Sequence, residues 1–151
     1  MFERALGVAR TNEIEWHIPL IACLLGRAYV DTGRHAEARR LLEQASTLAD
    51  RNRQVAKRLL CGPPLVRALA EGPDGDLAAA TDLAMLTLRE ATARGFRPTV
   101  VHTQLALARV LALAGVAEPA RTALQEAAAL SKQLGMLREE AEARESLAAL
   151  P

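Results

Sequence analysis

The chain has 151 residues, half of them hydrophobic and a quarter charged, with a net charge of +1; that is enough for one domain with a packed core and excludes a disordered chain. Acids and bases are interleaved along it, which argues against a broad electrostatic footprint for nucleic acid. No apolar run approaches the ~20 residues of a bilayer span, and the charged N-terminus MFERALGVAR does not read as a signal peptide, so a cytoplasmic protein without a membrane partner is expected.

Apolar residues at three- and four-residue spacing predict helices over residues 2–10, 14–32, 35–51, 54–71, 77–94, 98–114, 118–134 and 137–149. The 31 alanines and 25 leucines, with only 3% aromatic residues, favour helices that pack closely, and no β-branched run alternates with period two. An all-α protein of about seven or eight helices is expected. Asn12 is expected to close the first helix. In the second, Trp16 is expected to pack between the first and second helices, with anchoring of a partner as the alternative. Glu13 and His17 lie one turn apart and read as a solvated pair, because a zinc site needs three or four ligands. Cys23 and Cys61 sit inside apolar patterns without metal spacing and read as small buried hydrophobes in a reducing compartment, with a disulfide as the alternative.

Between the third and fourth helices lies the basic run RNRQVAKR, Arg51 to Arg58, which reads as a solvated loop and helix face, with a phosphate-contacting helix start as the alternative. Within residues 54–71, Gly62-Pro63-Pro64 is expected to kink or break the helix, because proline lacks a donor and clashes with the preceding turn. The last segment, LREEAEARESLAAL, reads as the first helix of a further pair or a cap. No nucleophile elbow, phosphate cradle or third metal ligand accompanies the histidines His17, His35 and His102, so no catalytic constellation, metal or cofactor is expected.

Three breaks resemble one another, around Gly33, Gly75 and Gly115, spaced 42 and 40 residues apart. The helices that follow them end at residues suited to a left-handed C-cap, Asn52, Gly95 and Gly135, at intervals of 43 and 40. Two kinds of punctuation therefore share one period, the signature of a repeat array. The boundaries read as a half-repeat over 1–12, repeats over 13–52, 53–95 and 96–135, and a terminal half-repeat or cap over 136–151, as expected for a piece of a longer protein.

The period and these residues resemble the tetratricopeptide repeat, through Leu25-Gly26, Tyr29, Ala38, Leu42 and Ala45 in the first repeat and Leu107-Ala108, Leu111, Ala120, Leu124 and Ala127 in the third. Ala108 replaces glycine where the helices must approach. The middle repeat matches poorly. The period exceeds the family's usual one and is similar to the longer repeats of large bacterial signalling ATPases, transcription activators and cyclase-linked proteins. The resemblance implies a right-handed superhelical α-solenoid of antiparallel helix pairs, its concave groove lined by the first helix of each pair. It places Leu20, Cys23, Arg27 and Asp31 of the first repeat, and His102, Leu105, Arg109 and Leu113 of the third, on that groove. Arg27 and Arg109 occupy the same repeat position and offer donor forks for carboxylate or phosphate.

The function so implied is a protein-interaction or effector-binding scaffold, not an enzyme: the sensor part of a larger bacterial regulator that binds a protein, a peptide or a small anionic effector. Nucleic-acid binding through Arg51–Arg58 is the alternative. Self-association through one terminal helix face is also expected, because Phe2, Leu6, Leu137 and Leu147 would lack stacking neighbours.

Overall fold

The computed structural model describes residues 1–11 and 16–151, with the backbone alone at Arg10. Among them are eight helices and no strand: α1 (Phe2–Thr11), α2 (Ile18–Asp31), α3 (His35–Arg51), α4 (Val55–Glu71), α5 (Leu77–Ala93), α6 (Arg97–Leu113), α7 (Ala117–Leu134) and α8 (Leu137–Ala149). No helix among the described residues is long and apolar enough to cross a membrane.

The chain forms two compact units, Met1–Gly75 and Asp76–Pro151. In the first, α1 packs on α2, α2 on α3 and α4, and α3 on α4. In the second, α5 packs on α6, α6 on α7 and α8, and α7 on α8. Each unit is thus an all-α array of helices packed in consecutive pairs. The units also share a register: α3 and α7 begin at His35 and Ala117, α4 and α8 at Val55 and Leu137, both pairs 82 residues apart. The same offset separates the ends of α1 and α5 and of α2 and α6. The boundary between the units falls inside the repeat expected over 53–95, where α4 ends on an extended Gly72 and Asp76 opens α5 by accepting the Ala79 amide at 2.9 Å.

One residue pattern makes the second helices. Ala38, Leu41, Leu42, Ala45 and Ala49 are the buried stripe of α3, and Ala120, Ala123, Leu124, Ala127 and Ser131 that of α7, the spacing that puts apolar groups on one helical face. Five helix ends share one device as well. Gly33, Gly95, Gly115 and Gly135 take positive φ, and in each case the next amide donates to a carbonyl five residues back: Arg34 to Tyr29, Phe96 to Ala91, Val116 to Leu111 and Met136 to Ser131. At the fifth, the expected left-handed Asn52 is corrected by one residue. Asn52 has φ −89° and Arg53 carries φ 55°, with Gln54 donating back to Ala49 at 2.7 Å.

A Cβ added at Gly26 would lie 2.6 Å from both Cγ and Cδ2 of Leu42, which is wholly buried. The α2 backbone therefore rests directly on α3. In the second unit the core gathers Val101, Leu105 and Ala108 of α6, Ala123, Leu124 and Ala127 of α7, and Ala143 of α8, with Leu147 and Leu150 packed against it.

The expected break at Gly62-Pro63-Pro64 is absent: α4 runs as one helix from Val55 to Glu71, and all three residues are buried. Pro63 and Pro64 have no amide to give the carbonyls of Leu59 and Leu60 four residues back. For Leu60 another donor replaces it, since the Cys23 thiol of α2 donates to its carbonyl at 3.0 Å. Packing against α2 thereby satisfies a group that the helix itself leaves open.

Candidate binding face

In the first unit, the first helices α2 and α4 run side by side, and side chains bridge them along their length. Lys57 donates to the Trp16 carbonyl, with its ammonium 4.6 Å above the indole ring. Cys23 meets Leu60, the Cys61 thiol lies 3.9 Å from the Pro19 carbonyl, and Arg67 donates to Asp31 at 2.7 Å. Three leucines flank this seam with their side chains in solvent: Leu20 (38% exposed), Leu24 (42%) and Leu60 (37%).

Trp16 is not the core residue expected. It is 60% exposed: it precedes the first turn of α2, and Lys57 lies over its ring. Glu13, its expected neighbour in a pair with His17, lies outside the described residues, and His17 itself is exposed before α2. Among the described residues no group of three His, Cys, Asp or Glu side chains is placed to hold a metal ion.

Of the first-repeat residues assigned to a groove, Leu20 and Asp31 are exposed and Arg27 is half-buried, while Cys23 is buried at 8% exposure. Cys23 serves packing and the Leu60 carbonyl instead of an open surface. Asp31 is bonded to Arg67, which also holds Glu71 at 2.8 Å. Burial opposes the Arg67 charge, but those two carboxylates outweigh it and hold its pKa above the usual value. Arg27, between Cys23 and Asp31 on the helix, forms no ion pair among the described residues.

The second unit fills the same positions differently. His102 Nε2 lies 3.2 Å from Glu139 Oε1, and Arg109 donates to Glu142 at 2.9 Å, so both seam positions of α6 meet an acid on α8. Leu105 is buried in the core and Leu113 is 57% exposed. By the offset of 82 residues, Glu142 corresponds to Leu60 and Glu139 to Lys57. Arg109 is therefore neutralised by an acid that Arg27 lacks among the described residues. That contrast needs a comparison of two helix pairs across their contact faces; the periodicity of one helix does not contain it.

Other expected sites are occupied by their neighbours. In the basic run, Arg58 pairs with Asp50 at 2.7 Å, Lys57 sits on Trp16, and Arg53 forms the left-handed turn. Burial also pushes the Lys57 pKa down. A depression of about 360 Å³ on α3 is lined, among the described residues, by Glu43, Gln44, Thr47, Leu48 and Arg51, and Glu43 is already bonded to Arg39. At the chain ends the exposed apolar surface expected is mostly absent: Leu6 is buried, Phe2 is half-buried and Leu147 packs on the core, while Leu137 is 76% exposed. Comparison with protein-family models and with curated proteins finds no match to this chain.

Proposed function

We propose that the protein is a helical-repeat binding module without catalytic activity, of tetratricopeptide type, serving as the cytoplasmic ligand-recognition part of a larger bacterial regulator. Its ligand is a peptide segment that combines acidic and large apolar residues, and it binds along the α2–α4 seam. The observation that carries this reading is the pairing of Arg27, which has no acid partner among the described residues, with Leu20, Leu24 and Leu60 in solvent beside it. A half-buried guanidinium gains most from a carboxylate that reaches it with two acceptors. Apolar side chains of the same segment would cover the leucines. A small anion would meet Arg27 and leave that apolar surface wet, which favours a peptide over a free metabolite. A nucleic-acid ligand has less support, since Arg58 and Lys57 of the basic run are engaged by Asp50 and Trp16.

The test is selection of a random peptide library against the immobilised full chain. Sequences that combine Asp or Glu with Leu, Ile or Phe should be enriched, and Arg27→Ala should weaken the selected peptides by about 10- to 100-fold, the scale of a charge-assisted hydrogen bond. Arg109→Ala should leave them within about twofold, because its guanidinium already has Glu142. Enrichment of basic sequences, or binding indifferent to Arg27, would overturn the reading.

A further inference from the structure

Beneath the same seam, two free thiols meet. Cys23 of α2 and Cys61 of α4 face each other across it, and their contacts are reciprocal. Cys23 donates to the carbonyl of Leu60, the residue before Cys61, and Cys61 lies against the carbonyl of Pro19, one turn before Cys23. Cys61 is wholly buried, whereas Cys23 retains 8% of its surface. Both are buried, but of the two Cys23 keeps a strip of surface, so a small oxidant meets it first and Cys61 stands behind it as the resolving thiol.

We propose that Cys23 and Cys61 form a reversible dithiol–disulfide site oxidised by hydroperoxides, in which Cys23 is attacked first and Cys61 resolves. The Cys23 sulfur takes one oxygen from the peroxide as its O–O bond breaks, giving the sulfenic acid and releasing water. The Cys61 sulfur then attacks the Cys23 sulfur; the S–S bond forms, the S–O bond breaks, and hydroxide leaves with the Cys61 proton as a second water. Two thiols lose two electrons and two protons, and one hydrogen peroxide is reduced to two waters.

The local electrostatics suit this order. The neighbouring Cys61 thiol, with the nearby Arg27 charge, pulls the Cys23 pKa down against burial, and the Cys23 sulfur and burial push the Cys61 pKa up; the proton that Cys23 gives the Leu60 carbonyl works against its loss. Oxidation also carries a structural penalty. The disulfide has no proton for the Leu60 carbonyl, which Pro64 has already deprived of a helical donor. The oxidised form therefore leaves a buried acceptor unmet, which makes the disulfide easy to reduce. This inference stands apart from the peptide-binding reading, because it concerns the chemistry of two thiols and needs no ligand.

The experiment treats the folded full chain with a small excess of hydrogen peroxide, then unfolds it in iodoacetamide and measures intact mass and peptide maps. The expected product is a monomer lighter by two hydrogens, unalkylated, with a cross-linked peptide joining Cys23 and Cys61 that dithiothreitol releases. In Cys61→Ser, dimedone should label Cys23 as the sulfenic acid; in Cys23→Ser, Cys61 should stay alkylatable. Full alkylation of both cysteines in the treated wild-type chain would overturn the proposal. So would a disulfide between copies, or dimedone labelling confined to Cys61.

Discussion

Single residues decide how closely the helices approach. At Gly26 the missing side chain lets the α2 backbone rest on Leu42, and the 82-residue equivalents are Ala108 and Leu124, which accommodate a methyl group at the same crossing. Gly26→Ala adds about 1 kcal/mol of helix propensity. It also drives Cβ to within 2.6 Å of a leucine with no exposed surface to move into. Overpacking of this kind costs about 1–3 kcal/mol, so a net destabilisation of up to about 2 kcal/mol is expected by urea denaturation. The sign should reverse in a Leu42→Ala background, and stabilisation in the native background would refute the close approach. Arg53 is the opposite case, a side chain in a left-handed turn that glycine fills at four other helix ends. Arg53→Gly is expected to stabilise the chain by about 0.5–1 kcal/mol, with a matching rise in denaturation midpoint; a fall would mean that its side chain is needed for the turn.

At the scale of elements, α4 depends on its neighbour. An apolar helix with two internal prolines persists because its buried surface is packed and one carbonyl freed by proline receives the Cys23 thiol. A double-mutant cycle tests this. Cys23→Ala should cost about 1–3 kcal/mol, the range for an unmet buried acceptor. In a Pro64→Ala background, where the restored amide reaches Leu60, the same change should cost about 1 kcal/mol less. Equal costs in both backgrounds would show that the thiol contributes only packing. Here lies also the limit of what the sequence discloses. Helix positions follow from spacing that a single strip of residues contains, and the stretch expected over 35–51 is α3, residue for residue. Whether proline breaks a helix, or whether Arg27 has an acid to pair with, depends on residues about a repeat away, Cys23 in one case and Leu60 in the other. The equal repeat position of Arg27 and Arg109 was legible, but their different partners were not, because each partner is supplied by another helix.

At the scale of the whole chain, the two units have the same helix order, each with its own packed helices, and helical-repeat stability is a sum of intrinsic and nearest-neighbour terms. Each unit has about 75 residues, near the lower size at which one core suffices, so local features should decide its stability. The first unit contains two prolines inside a helix, a non-glycine left-handed turn and exposed leucines along its seam. The second places glycine at each of its left-handed positions and bridges α6 to α8 through Arg109–Glu142 and His102–Glu139. Fragments 1–75 and 76–151, expressed separately, are therefore expected to be helical by circular dichroism and to melt cooperatively, the second at the higher temperature. The order follows from the strained turn, which costs about 1 kcal/mol and so shifts a domain of this size by roughly 4–8 °C. Arg53→Gly in the first fragment should narrow the gap by a comparable amount. If the fragments are unfolded alone, the two units are not independent cores; if the first melts higher, the turn and the prolines do not set their relative stability.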